Sequence, residues 1–167
     1  MNKGKHSNVT KYFILFGIVI IISLVGYAIY KQYEEYSLKD DPKLKELKVI
    51  FGKFFDQDRY WTGNLESLNK RDIMKETDLY RGDKSYTINK ERVYLCLKDD
   101  DNEYYSLNML IYVLAHEYSH VISKSIGHTD EWNAIFEQLL VELADTGIYD
   151  PSQAILTDYC QHGDKLK

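Results

Sequence analysis

Proline and cysteine are scarce in this 167-residue chain, two of each, and no acidic residue precedes Glu34. The cysteines, Cys96 and Cys160, lack the C-x-x-C spacing of a zinc ribbon or a dithiol redox centre, which removes those two classes. They are compatible with one disulfide in an oxidising compartment and are read as structural residues. There is no internal repeat and no low-complexity tract, so solenoids, propellers and arrays are excluded. The length allows one membrane segment and one modest globular core, but hardly two domains. Beyond residue 30, 26 acidic residues face 18 Lys and Arg, a net charge of −8. That balance is poor for gripping phosphate backbones, and no nucleic-acid partner is expected.

What is present begins with an uncharged run of 19 residues, Tyr12 to Tyr30. As a helix rising about 1.5 Å per residue, it just crosses a hydrocarbon core of about 30 Å. Tyr12, Tyr27 and Tyr30 fall at the two interfaces, with Lys11 and Lys31 just outside. The run exceeds a signal-peptide core, although Gly26-x-Ala28 loosely satisfies a cleavage rule. The expectation is a single-pass anchor, residues 12–30, after a basic tail, residues 1–11. Lys3, Lys5 and Lys11 on one side are matched by Lys31, Lys39, Lys43 and Lys45 on the other, so charge does not decide the membrane side. Asn8-Val9-Thr10 is a formal glycosylation sequon, expected to be silent so near the bilayer.

Residues 31–41 are polar and read as a stalk, and Pro42 is a favourable first helical residue opening a domain that runs to 167. Leu44, Leu47, Phe51, Phe54 and Phe55 predict an amphipathic helix to about Asp58. Arg59 to Asp83 has no decisive period. From Ser85 to Leu97, Tyr86, Ile88, Val93, Leu95 and Leu97 alternate with polar residues, predicting a hairpin that turns at Asn89-Lys90-Glu91. The charged run 98–103 is a solvated loop. Ser106 then caps a buried helix of about five turns, Gly127 breaks it, and Thr129 caps a second helix that ends at Gly147 and Pro151. The fold class is therefore α+β: three or more helices and a small antiparallel sheet, whose edge is where an extended peptide could add as a strand.

The first of those helices carries His116-Glu117-Tyr118-Ser119-His120, the HExxH pattern. Two imidazoles four residues apart lie one turn apart, about 6 Å along the axis and about 40° around it, so both reach one tetrahedral ion. They point away from the Leu110, Leu114 and Val121 stripe. Glu117 projects between the two faces, the place for a general base acting on a metal-activated water. For a third ligand, His128 competes with Glu142 on the following helix. His128 has the better case, since Gly127 lets the connection turn its imidazole back over the pair and a neutral ligand leaves the ion its full charge. Tyr105 and Tyr159 are candidate oxyanion donors.

The segment HEYSHVISKSIGHTDEW resembles the active-site segment of the WLM and SprT-like metallopeptidases: HExxH, a short connection, then a His with an aromatic residue four positions on. The matching positions are His116, Glu117, His120, His128 and Trp132, and the likeness covers roughly residues 85–145. It implies a zincin-like zinc endopeptidase with His116, His120 and His128 as zinc ligands and Glu117 as the base, acting on a protein or peptide substrate. Some such families act on proteins crosslinked to DNA. Here the anchor and the acidic domain depart from that role. The competing expectation is an inactive, zinc-stabilised membrane or envelope structural protein.

Overall fold

The computed structural model describes residues 3–56, 60–157 and 159–160, with side chains from residue 11 onward. The Asn8-Thr10 sequon side chains, Asp58 and residues 161–167 lie outside the described set. The chain divides into two compact units, Met1–Leu38 and Lys39–Lys167.

The first unit is one helix, α1, Lys3–Lys39, which reaches one residue into the second. Its Lys11–Lys39 portion is long and apolar enough to cross a membrane. Apolar side chains point outward all around it, with Phe13 72% and Ile22 64% exposed, so no protein core accounts for them. Residues 31–39 of the expected stalk are helical. KQYEEYSLK keeps helical geometry, aided by the Lys31–Glu34 pair at 2.7 Å, and ends only at Asp40 and Asp41.

The second unit opens with α2, Pro42–Phe55. Asp41 caps it by accepting from the Lys43 N–H at 2.8 Å, and Pro42 takes the first position, whose N–H would be unpaired in any case. Leu44, Leu47, Phe51 and Phe54 are buried, and Phe51 and Phe55 pack on Tyr118 at ring distances of 5.3 and 5.5 Å. The aperiodic stretch resolves into a 3-10 turn, Gly63–Lys70, a one-turn helix α3, Ile73–Glu76, and a strand β1, Asp78–Arg81. Strands β2, Tyr86–Ile88, and β3, Arg92–Leu95, form the expected hairpin. Its turn is Asn89-Lys90-Glu91, as expected, between the paired Ile88 and Arg92, with φ of 51° at Asn89 and 61° at Lys90.

The sheet is mixed rather than antiparallel, in the order β1-β3-β2, with β1 parallel to β3 and β2 antiparallel to it. β3 inserts between β1 and β2, which the chain joins through residues 82–85. A side chain at Gly82 would meet the Lys84 carbonyl at 2.8 Å and Tyr94 at 3.1 Å, so only glycine permits this passage. A second correction concerns β2. Tyr86 and Ile88 face outward, 43% and 40% exposed, and Thr87 faces in. Tyr86 instead joins an aromatic ladder on the outer face, stacked on Tyr94, which stacks on Tyr80.

Two helices complete the unit: α4, Leu107–Ile122, and α5, Asp130–Asp145. Ser106 accepts from the Met109 N–H and Thr129 from the Trp132 N–H, both caps as expected. α4 stops at Ser123, three residues short of the predicted end. It is buried nearly all round. The half-buried positions Tyr112, His116 and His120, one turn apart, form its cleft-facing stripe. Gly147, in the left-handed region, ends α5 and returns the chain through Ile148 and Tyr149, whose N–H groups both donate to the Leu143 carbonyl. Asn108 then binds Asp150 reciprocally, pinning the returning segment to α4.

Candidate metal centre

His116 and His120 project from one face of α4, and the connection after α4 brings His128 over them. One ring nitrogen from each histidine lies within 4.8 Å of the others, and the His128 and His116 Nε2 atoms are 3.1 Å apart. A tetrahedral zinc ion with nitrogens at about 2.0–2.1 Å asks for similar spacing, so the donor set fits. Glu142 is not in this cluster; it sits half-buried on α5. Trp132 packs against all three rings, at 4.6, 5.0 and 4.4 Å from His116, His120 and His128. Its buried indole N–H has no hydrogen-bond partner among the described residues, and the ring limits how far the imidazoles can turn.

His116 and His120 suit a cation because burial favours their neutral forms. Burial, followed by the neighbouring His120 and His128, depresses His116 to about 4. Burial, His128 and Lys90 depress His120. Glu117, 4% exposed, is pushed up to about 7 by burial, against one hydrogen bond that favours its charged form. That bond comes from Thr87 Oγ1 to Oε2 at 2.7 Å. A carboxylate poised near neutrality beside a three-imidazole centre is suited to moving a proton. Thr87 was not singled out from the sequence. Its signal is a polar residue on the inward face of a strand, masked by the apolar Tyr86 and Ile88 on either side.

The connection carrying His128 has no regular structure but is closely tied. The Glu131 carboxylate accepts from the Lys124 and Ser125 N–H groups at 3.1 and 3.0 Å and from the Ser123 hydroxyl at 3.2 Å. These donors hold its carboxyl at about 2. Ser125 also pairs with Ser123 and Thr129 through hydroxyls at 2.8 and 2.6 Å. From the hairpin turn, Lys90 donates to the Ser123 and Ser125 carbonyls, capping the C-terminal end of α4. In the sequence Glu131 looked only like a favourable charge at a helix start; its reach back across the connection is a tertiary fact.

Two cavities meet at the site. One, about 550 Å³, is lined by β2, the hairpin turn, the three histidines and Glu117. The other, about 670 Å³, shares Ser85, His116 and Glu117 and continues between α4 and the segment 155–160. Cys96 and Cys160 are joined in a disulfide, with Cα atoms 6.2 Å apart. Of the two tyrosines proposed as oxyanion donors, Tyr159 has its proton engaged, and Tyr105 lines neither cavity. The Tyr159 hydroxyl donates to the Cys96 carbonyl and contacts the Ser85 hydroxyl. The Tyr105 hydroxyl accepts from the Cys160 N–H, away from the histidines.

Uncharacterized protein 136R of Invertebrate iridescent virus 6 is 39% identical to the chain over 119 residues, 70% of this chain and 67% of that protein. The chain belongs to that protein's family. Uncharacterized protein 042R of Invertebrate iridescent virus 3 is 37% identical over 99 residues. That match covers 59% of this chain and 62% of the relative, so the chain spans about two thirds of the length of these viral proteins. No protein-family model matches the chain, and no solved structure matches it.

Proposed function

We propose that the chain is a membrane-anchored zinc metallopeptidase of the WLM or SprT-like kind, in which His116, His120 and His128 hold the ion and Glu117 is the general base. The observation that carries this reading is the convergence of three imidazoles on one point beside a buried carboxylate whose second oxygen is fixed by Thr87. A structural zinc site closes its fourth position with protein; among the described residues this cluster offers three ligand atoms and opens onto two cavities. When bound, zinc would polarise a carbonyl and acidify a water at neutral pH. Glu117 accepts the proton that the attacking water loses, then passes it to the amine nitrogen as the C–N bond breaks. Thr87 holds the carboxylate in place, and burial keeps its affinity for the proton high enough to accept it and low enough to release it. The outer edge of β2 runs along the same cavity, where an extended peptide can add as a strand.

The N-terminal helix acts in this reading as an uncleaved anchor. The Cys96–Cys160 disulfide favours an oxidising compartment for the catalytic unit. The test uses the full chain in detergent micelles, loaded with zinc and incubated with an unfolded protein, with products read by mass spectrometry. Wild type cleaves, and Glu117→Gln keeps its zinc but loses most turnover. Zinc binding without cleavage in wild type would leave the structural-protein reading instead. Recovery of the mature protein from cells as a soluble chain starting near residue 29 would replace the anchor with a signal peptide.

A further inference from the structure

We infer that the cavity between α4 and the segment 155–160 is a side-chain pocket that selects large apolar residues next to the scissile bond. This rests on the peptidase reading above. The cavity begins at the reacting groups themselves, because His116 and Glu117 line it as well as the histidine-lined cavity. Moving away from Glu117, its α4 wall is Met109, Tyr112 and Val113, and its opposite wall is Ile155 and Leu156. A peptide lying across Glu117 therefore has one neighbouring side chain directed toward a space of about 670 Å³ whose two long walls are apolar and whose mouth also carries Lys84, Ser85 and Thr157. That volume lies within the range of about 300–1,000 Å³ common for ligand pockets and is ample for Leu, Met, Phe or Trp.

The far wall is a segment without regular structure, yet it is fastened from three directions. The disulfide ties Cys160 to Cys96 just beyond β3, the Tyr159 hydroxyl donates to the Cys96 carbonyl, and the Cys160 N–H donates to Tyr105 at 3.1 Å. Tyr105 and Tyr159 also pack ring against ring at 4.8 Å. A wall held this way keeps its shape when the pocket is empty, as selection by shape and polarity requires. The two tyrosines thus serve the pocket's frame, and selectivity falls to the apolar lining.

The test is the cleavage pattern of the full zinc-loaded chain in detergent micelles on a diverse peptide pool, read by mass spectrometry, for wild type, Leu156→Asp and Met109→Ala. Leu156 is 47% exposed at the rim, so a carboxylate there leaves the core intact. Wild type is expected to cut with a large apolar residue at one fixed position beside the bond. In Leu156→Asp, kcat/KM for such peptides should fall at least about tenfold relative to peptides with a basic residue there, with zinc content unchanged. Met109→Ala should shift the preference toward bulkier side chains. Wild-type cleavage without side-chain preference, or an unaltered preference in both variants, would overturn the inference while leaving the peptidase reading intact. No cleavage by zinc-loaded wild type would overturn the peptidase reading and this inference with it.

Discussion

The two irregular segments flanking the site are built to opposite designs. On the histidine side, residues 123–128 are held by hydrogen bonds, converging on the Glu131 carboxylate and the Lys90 ammonium, and by the packing of Trp132 on His128. On the other side, the described residues 155–157 and 159–160 are held by a covalent link across a sequence separation of 64, backed by two tyrosines. The difference follows from what each wall must do. In the proposed metallopeptidase, the segment carrying His128 needs its imidazole set to within a fraction of an ångström, which many directional bonds achieve. A segment that walls a pocket needs only to stay where it is, and a long-range tether prevents its departure at little cost in orientation.

Breaking the covalent wall should have the largest effect. Replacing Cys96 and Cys160 with Ser is expected to lower stability by about 4 kcal/mol for a loop this long, measured by urea unfolding of the purified chain. Zinc affinity should barely change, because no ligand lies on that wall. A large loss of zinc affinity in this variant would show that the two walls are not independent.

Glu117 sits on the boundary both walls share, and its pH behaviour tests how well they bury it. Its folded pKa, about 7, lies above the ordinary carboxylate value. The folded state therefore holds a proton that the unfolded state has lost, and this contribution falls away as pH rises from about 4.5 to 7. His116, depressed to about 4, works the other way: its contribution is complete above about 6.5 and is lost as pH falls toward 4. In the presence of a chelator, Glu117→Gln should be nearly neutral at pH 4.5 and gain on wild type up to about 3 kcal/mol by pH 8. The gain should shrink in the Cys-to-Ser background, where the pocket opens to water. If it is the same size there, the tethered wall does not bury Glu117.

On the hydrogen-bonded wall, Glu131→Gln keeps the size of the side chain but weakens acceptance from three donors. Zinc affinity, measured by competition with a chromophoric chelator, should fall about 10–100-fold with little change in folding. An unchanged affinity would mean that the packing of Trp132 alone positions His128. The smallest effect belongs to Thr87→Val. Loss of its hydroxyl bond raises the Glu117 pKa further, so the acidic limb of the activity profile moves to higher pH, with a severalfold loss of kcat/KM near pH 6.

Much of this was legible without a structure wherever the decisive contact was local. The α4 and α5 helices, their caps at Ser106 and Thr129, the turn at Asn89-Lys90-Glu91 and the shared face of His116 and His120 depend on neighbours within about one turn of chain, and period and capping chemistry encode those. His128 was legible as a candidate because Gly127 and the short connection leave it little room to go elsewhere. Only the tertiary structure decided what lies at long range. Thr87 meets Glu117 thirty residues away. β1 pairs in parallel with β3 although its four residues show no alternation. The Tyr159 hydroxyl donates to the Cys96 carbonyl, Tyr105 accepts from the Cys160 N–H, and Cys160 closes on Cys96. The sequence by itself determined α2, the β2–β3 hairpin, α4 and α5, and the shared face of His116 and His120, because these follow from backbone periodicity and side-chain type. Which residues enclose that face depended on where packing brings distant segments together, and no local period records that.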